Sequence, residues 1–170
     1  MSWHHRFVPD LTFIHLFDIN ISDLKFMGYK AVLIDIDGTI THLNGPNISS
    51  KNTAWIANAA DNLPLKIVTC NHNRKFLEGI GEQTNTKPLQ RKIFESPSNF
   101  FLRCIKSLNL EPNEVAVIND SLIMLGLFVH PLGCFTIKVD SINISTTHSP
   151  IGYIYHLGQW LEKKFINPHL

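Results

Sequence analysis

Twice in this chain a run of consecutive apolar residues stops dead at a carboxylate. Ala31-Val32-Leu33-Ile34 runs into Asp35-Ile36-Asp37, and Val115-Ala116-Val117-Ile118 runs into Asn119-Asp120. Unbroken apolar runs of this length are the pattern of strands covered on both faces. Leu65-Lys66-Ile67-Val68-Thr69 and Phe135 to Val139 read as further strands, and the stretch from Lys92 to Phe94 as a brief one. Between them lie helical patterns. Ser49 and Ser50 can cap a helix whose core face is Trp55, Ile56, Ala59, Ala60 and Leu63; a short helix covers Arg74 to Gly81, and Gln83 to Gln90 reads as loop. Ser96-Pro97 opens another helix, with Phe100, Phe101, Cys104, Ile105 and Leu108 on one side. A last amphipathic helix is expected from Gly152 to Phe165.

Strands alternating with helices at this spacing imply parallel pairing, because each parallel neighbour needs a crossover. The expectation is therefore an α/β fold: a three-layer, Rossmann-like sandwich with a mostly parallel five-stranded sheet. At 170 residues, 44% of them apolar, the chain can bury one good core, so a single domain over residues 1–170 is expected.

Charge and composition narrow the function. Fifteen basic residues against fourteen acidic ones give a net charge of +1, which offers no electrostatic footprint for specific nucleic-acid binding. The longest apolar run, Leu122 to Val129, is far short of the ~20 residues of a membrane span. The first residues lack the basic and apolar regions of a signal peptide, so a cytoplasmic protein is expected, with peripheral contact at a membrane left open. Cys70, Cys104 and Cys134 are odd in number and scattered, and read as free thiols.

In a parallel sheet the ligand crevice lies outside the carboxyl ends of the strands. Asp35, Asp37, Thr69, Asn71 and Asp120 all fall there. An acid at position 35, inside an apolar strand, is costly unless a partner or ligand needs it.

Asp35-Ile36-Asp37-Gly38-Thr39 resembles the D-x-D-x-T motif of the haloacid dehalogenase superfamily. Arg6-Phe7-Val8-Pro9-Asp10, Phe17-Asp18-Ile19, Val68-Thr69-Cys70-Asn71, Asn109-Leu110 and Leu132 to Ile137 extend that likeness along nearly the whole chain to the YqeG-type phosphatases of subfamily IIIA, relatives of mitochondrial phosphatidylglycerophosphate phosphatases. The resemblance implies a Mg²⁺-dependent phosphomonoester hydrolase. It makes Asp35 the nucleophile that forms an aspartyl-phosphate and Asp37 the acid and base. Asp35, Asp37 and Asp120 become the metal ligands, and Thr69, Asn71 and Gly38 the phosphate contacts. A metal and a cation are needed because a carboxylate about 4 Å from a phosphate dianion faces roughly 8 kcal/mol of repulsion at an effective dielectric of about 20.

Three positions depart from the family pattern: Asn119 stands for a glycine, Leu125 for a second acid, and Glu95 for the lysine of the third motif. Lys92, ahead of Arg91 and Lys87, is the expected catalytic cation, and Glu95 facing phosphate would repel it. Phe128-Val129-His130 is more apolar than the family norm, which leaves helix packing, a dimer surface or lipid contact open.

The ten or so residues between Thr39 and Ser50 allow a flap but no cap domain. The open rim of a capless enzyme suits a phosphate borne on something large, such as a lipid headgroup, a protein or a nucleic acid. The alternative from another class is an impaired domain that binds a phosphorylated ligand or a protein without turnover. A receiver-like phosphoacceptor ranks last, because its first-strand acids are adjacent rather than spaced D-x-D.

Overall fold

The computed structural model describes residues 7–43, 45–142 and 160. Its sheet is built from β1 (Leu11–Phe13), β2 (Ala31–Asp35), β3 (Leu65–Thr69), β4 (Leu89–Gln90), β5 (Val115–Asn119) and β6 (Phe135–Val139). All neighbours pair in parallel, in the order β1-β6-β5-β2-β3-β4.

Alternation along β2 explains why the sheet has no wet face. Val32 and Ile34 enter one apolar cluster, with Ile21, Trp55, Ile56 and Ile80; Ala31 and Leu33 enter the other, with Phe100, Phe101, Cys104 and Val117. The first cluster belongs to α1 (Ile21–Phe26), α2 (Ser50–Asn62) and α3 (Arg74–Thr84). The second lies under α4 (Pro97–Lys106) and the short α5 (Leu122–Met124), which continues into a widened turn over Leu125–Val129. Helices thus cover both faces, as the alternating sequence pattern requires.

The helix starts follow the expected chemistry. Ser49 and Ser96 accept hydrogen bonds from the backbone of Asn52 and Asn99, and Pro97 occupies the first turn of α4. Each such cap is worth about 1 kcal/mol relative to alanine.

Several expectations need correction. The sheet has six strands rather than five; β1 is three residues long, largely exposed and at an edge, so it carries no apolar run to betray it. The strand expected at Lys92 to Phe94 sits instead at Leu89–Gln90, because Leu89 packs against the Phe100 cluster while Ile93 and Phe94 stand in solvent. The helix from Arg74 runs on to Thr84 and closes at Asn85 with φ of 49°. Ala60 is exposed. The helix expected over residues 152–165 lies outside the described residues apart from Trp160. Among the described residues no helix is long and apolar enough to cross a membrane.

The apolar segment after β5 also finds its use. Leu125 and Val129 are buried against the α4 side of the core, and Ser98 donates to the Phe128 carbonyl. Of the three readings open in the sequence, this contact is helix packing.

Candidate active site

From β2 the chain winds outward through β3 and β4, then returns to lay β5 on the other flank of β2. The loops leaving β2 and β5 therefore diverge and open a crevice at the carboxyl ends of those two strands. Asp35 is the last residue of β2, and Asp120 follows the last residue of β5; the register pairs Ile34 with Ile118, so the two acids leave the sheet side by side.

Burial first, then the negative charges of Asp120 and Asp37, push the Asp35 carboxyl well above the ordinary carboxylate range, against a lowering hydrogen bond from the Ile36 amide. A carboxyl in this state awaits positive charge before it can ionise. Asp120 is 2% exposed. Thr39 locks it in place: the Asp120 amide donates to Thr39 Oγ1 at 3.1 Å, and that hydroxyl donates to Asp120 Oδ1 at 3.5 Å.

Asp37 is set by the turn that follows. Gly38 has φ of +83°, a left-handed conformation that a side chain would strain; its amide donates to the Thr41 carbonyl at 2.8 Å, and its carbonyl accepts from the Ile142 amide. Asn71 Nδ2 donates to Asp37 Oδ2 at 3.2 Å. Thr69, 1% exposed, uses its hydroxyl oxygen to accept from the Asn71 amide at 2.9 Å.

The structure thus brings Asp35, Asp37, Asp120, Thr69 and Asn71 to one rim, but it changes some of the expected parts. Gly38 and Asn71 brace the Asp37 turn, Gly38 through the Thr41 carbonyl and Asn71 through the Asp37 carboxylate. Lys92 is exposed on the turn after β4, its charge acting on Glu95 rather than on the acids. Glu95 does not face the crevice as a repelling charge. Arg103 grips its carboxylate with bonds of 2.7 and 2.8 Å, and the Lys92 amide adds a third; these hold its pKa down to about 2. Leu125, where the second acid was expected, is 2% exposed and lies in the apolar core.

Arg91 stands beside Cys70, the residue that follows β3. Its amide continues the β4 pairing by donating to the Thr69 carbonyl at 2.9 Å, and its Nε donates to Cys70 Sγ at 3.2 Å. Packing around the Cys70 sulfur raises the thiol's pKa, the Arg91 hydrogen bond opposes that, and the charges of Asp35 and Asp37 also reach it. Cys70 thus feels both the acids and the guanidinium. Thr39, as the clamp on Asp120, is a site residue that sequence reasoning did not single out, although it belongs to the D-x-D-G-T run.

Hard oxygens of Asp35 and Asp120 could hold a divalent cation. Among the described residues no group of three or more acidic, histidine or cysteine side chains is gathered closely enough to hold a metal ion by itself. Beside the Asp37 turn opens a cavity of about 560 Å³, walled by Thr39, Thr41 and His42 on one side and by His15 and Phe17 on the other.

With this geometry in hand, similarity to known proteins becomes informative. Over 165 residues, 95% of this chain and 90% of the relative, the sequence is 24% identical to "Probable phosphatase YqeG" of Bacillus subtilis (strain 168). The likeness spans both chains. No family model and no solved structure gives a significant match. The aligned length takes in every strand and all the rim residues described above, so the similarity extends well beyond the D-x-D-G-T run.

Proposed function

We propose that this protein is a Mg²⁺-dependent phosphomonoester hydrolase of the haloacid dehalogenase type, acting through an aspartyl-phosphate on a large or lipid-borne phosphate. The single observation that carries the reading is the half-buried Asp35 at the switch point of the sheet, crowded by Asp120 and Asp37 and therefore in want of a cation. Similarity over nearly the full chain to a protein named as a probable phosphatase supports it.

The donor set fits the metal in kind. Asp35 and Asp120 carboxylates with the backbone carbonyl of Asp37 are hard oxygens, and Mg²⁺ keeps several waters, so it does not require a closed protein cage. When bound, Mg²⁺ supplies positive charge that offsets the repulsion between carboxylate and phosphate.

The chain's own groups then divide the work. An Asp35 oxygen attacks phosphorus as the ester O–P bond breaks, and Asp37 gives its proton to the leaving oxygen. Asp37, now anionic, takes a proton from the water that attacks the aspartyl-phosphate, which frees phosphate and restores the Asp35 carboxylate. Thr69 donates its hydroxyl proton to a phosphoryl oxygen, and the Arg91 guanidinium takes the cation role assigned by resemblance to a lysine. The flap between Thr39 and Ser49 adds no cap, which suits a substrate too large to be enclosed.

Mg²⁺-dependent hydrolysis of an aryl phosphate by the wild type and Asp35→Asn, side by side, tests this. Turnover lost in the variant is the expected result; equal turnover removes Asp35 from the nucleophile role. One observation favours a second reading, a phospholigand-binding module without turnover: the position of the second acid, Leu125, is given over to the core. Folded wild-type protein that binds phosphate but shows no hydrolysis would favour it.

A further inference from the structure

The turn that follows β4 is firmly braced, yet it holds its two apolar side chains in water. The Glu95 amide donates to the Lys92 carbonyl at 3.1 Å, and the Lys92 amide donates to Glu95 Oε2 at 3.0 Å. Arg91 Nη1 donates to the Glu95 carbonyl, and Arg103 ties the Glu95 carboxylate and the Gln90 carbonyl into the same frame. Within that frame Ile93 is 72% exposed and Phe94 is 99% exposed. A loose loop would fold such side chains back onto the nearest apolar surface. Here the neighbouring core positions are already taken by Leu89, Phe100 and Phe101.

The charge beside this tip is positive. Lys92 adjoins it, and Lys75 lies in the first turn of α3, which leaves β3 at the same rim. Two neighbouring acids are matched, Glu78 with Arg74 at 2.8 Å and Glu95 with Arg103 at 2.7 Å, while Asp35, Asp37 and Asp120 belong to the crevice itself. At the opposite edge of the sheet, Ile14 follows β1 on the same rim and is 63% exposed. Five strand spacings, roughly 24 Å, separate the two edges. A partner that meets both must be broad and flat.

We infer that the Lys92-to-Phe94 turn docks this protein on an anionic lipid bilayer, with Ile93 and Phe94 entering the interface and the lysines meeting headgroups. This arrangement turns the acid-lined crevice toward the bilayer surface. An exposed aromatic beside lysine is the combination that interfacial binding uses, apolar area inserted and cations held at the anionic surface.

Flotation of the full chain with vesicles tests the inference without any turnover, so it stands or falls apart from the hydrolase reading. Wild type should float with phosphatidylcholine vesicles containing about 30% phosphatidylserine and far less with phosphatidylcholine alone. Ile93→Ser/Phe94→Ser should lose about tenfold or more of that binding. Its circular dichroism spectrum and thermal unfolding should match wild type, which shows that it is folded. Phe26→Ser serves as a control, since Phe26 is 93% exposed but lies before β2, at the far end of the sheet. Binding that is absent in wild type, that survives the double substitution, or that Phe26→Ser reduces equally would overturn the inference. So would self-association of wild type that the double substitution abolishes, because the turn would then be a contact between copies.

Discussion

At the scale of single residues, Arg91 and Lys92 adjoin along the chain yet meet different surroundings. Successive side chains along an extended segment point to opposite faces. Arg91 prolongs the pairing of β4 with β3, so its side chain turns toward Cys70 and the rim, and Lys92 turns away into solvent. Arg91→Ala is expected to lower kcat/KM for an aryl phosphate by about a hundredfold, while Lys92→Ala stays within about twofold. Steady-state kinetics on the two variants decides between them. Asp35 was legible in the sequence because an acid inside an apolar run is costly without a purpose. The choice of Arg91 over Lys92 was not, since a shift of a two-residue strand by a single position exchanges which of the two faces the site.

At the scale of elements, two departures from the family pattern prove to be structural solutions. Glu95 braces the β4–α4 turn through Arg103, and its carboxyl titrates at about 2 in the folded chain against an ordinary value of 4.5. Folding therefore favours the ionised form, and this contribution is complete above pH 4.5 and lost as the pH falls toward 2. Glu95→Gln should be less stable than wild type at pH 7, with the gap closing across that acid window; urea midpoints measured at several pH values check it. Leu125 belongs to the core beneath α4. Placing the missing acid there, Leu125→Asp, should cost about 3 kcal/mol or more of stability rather than improve metal binding, and chemical unfolding reads the loss directly. Helix starts at Ser49 and Ser96 were readable from local chemistry alone, because a hydroxyl cap needs no tertiary partner. β1 and the true place of β4 were not, because three- and two-residue edge strands gain their identity from the neighbour they pair with.

At the scale of the whole molecule, the proposed Mg²⁺ site would couple metal binding to stability. Mg²⁺ at about a hundred times its Kd should raise Tm by roughly 5–10 °C, and Asp120→Asn should abolish most of that shift; thermal unfolding with and without Mg²⁺ measures both. The parallel α/β architecture, the strand ends that carry Asp35, Asp37 and Asp120, and the helices that cover both faces were determined by the sequence itself, since periodicity, caps and the cost of a misplaced acid act locally along the chain. Tertiary structure alone decided that Glu95 is neutralised by Arg103, that Leu125 faces the core, that Thr39 clamps Asp120 and that Ile93 and Phe94 remain in solvent. Each of those depends on a group brought in from another segment. No local pattern encodes which partner arrives, because that is settled only when the sheet closes its register and the helices pack.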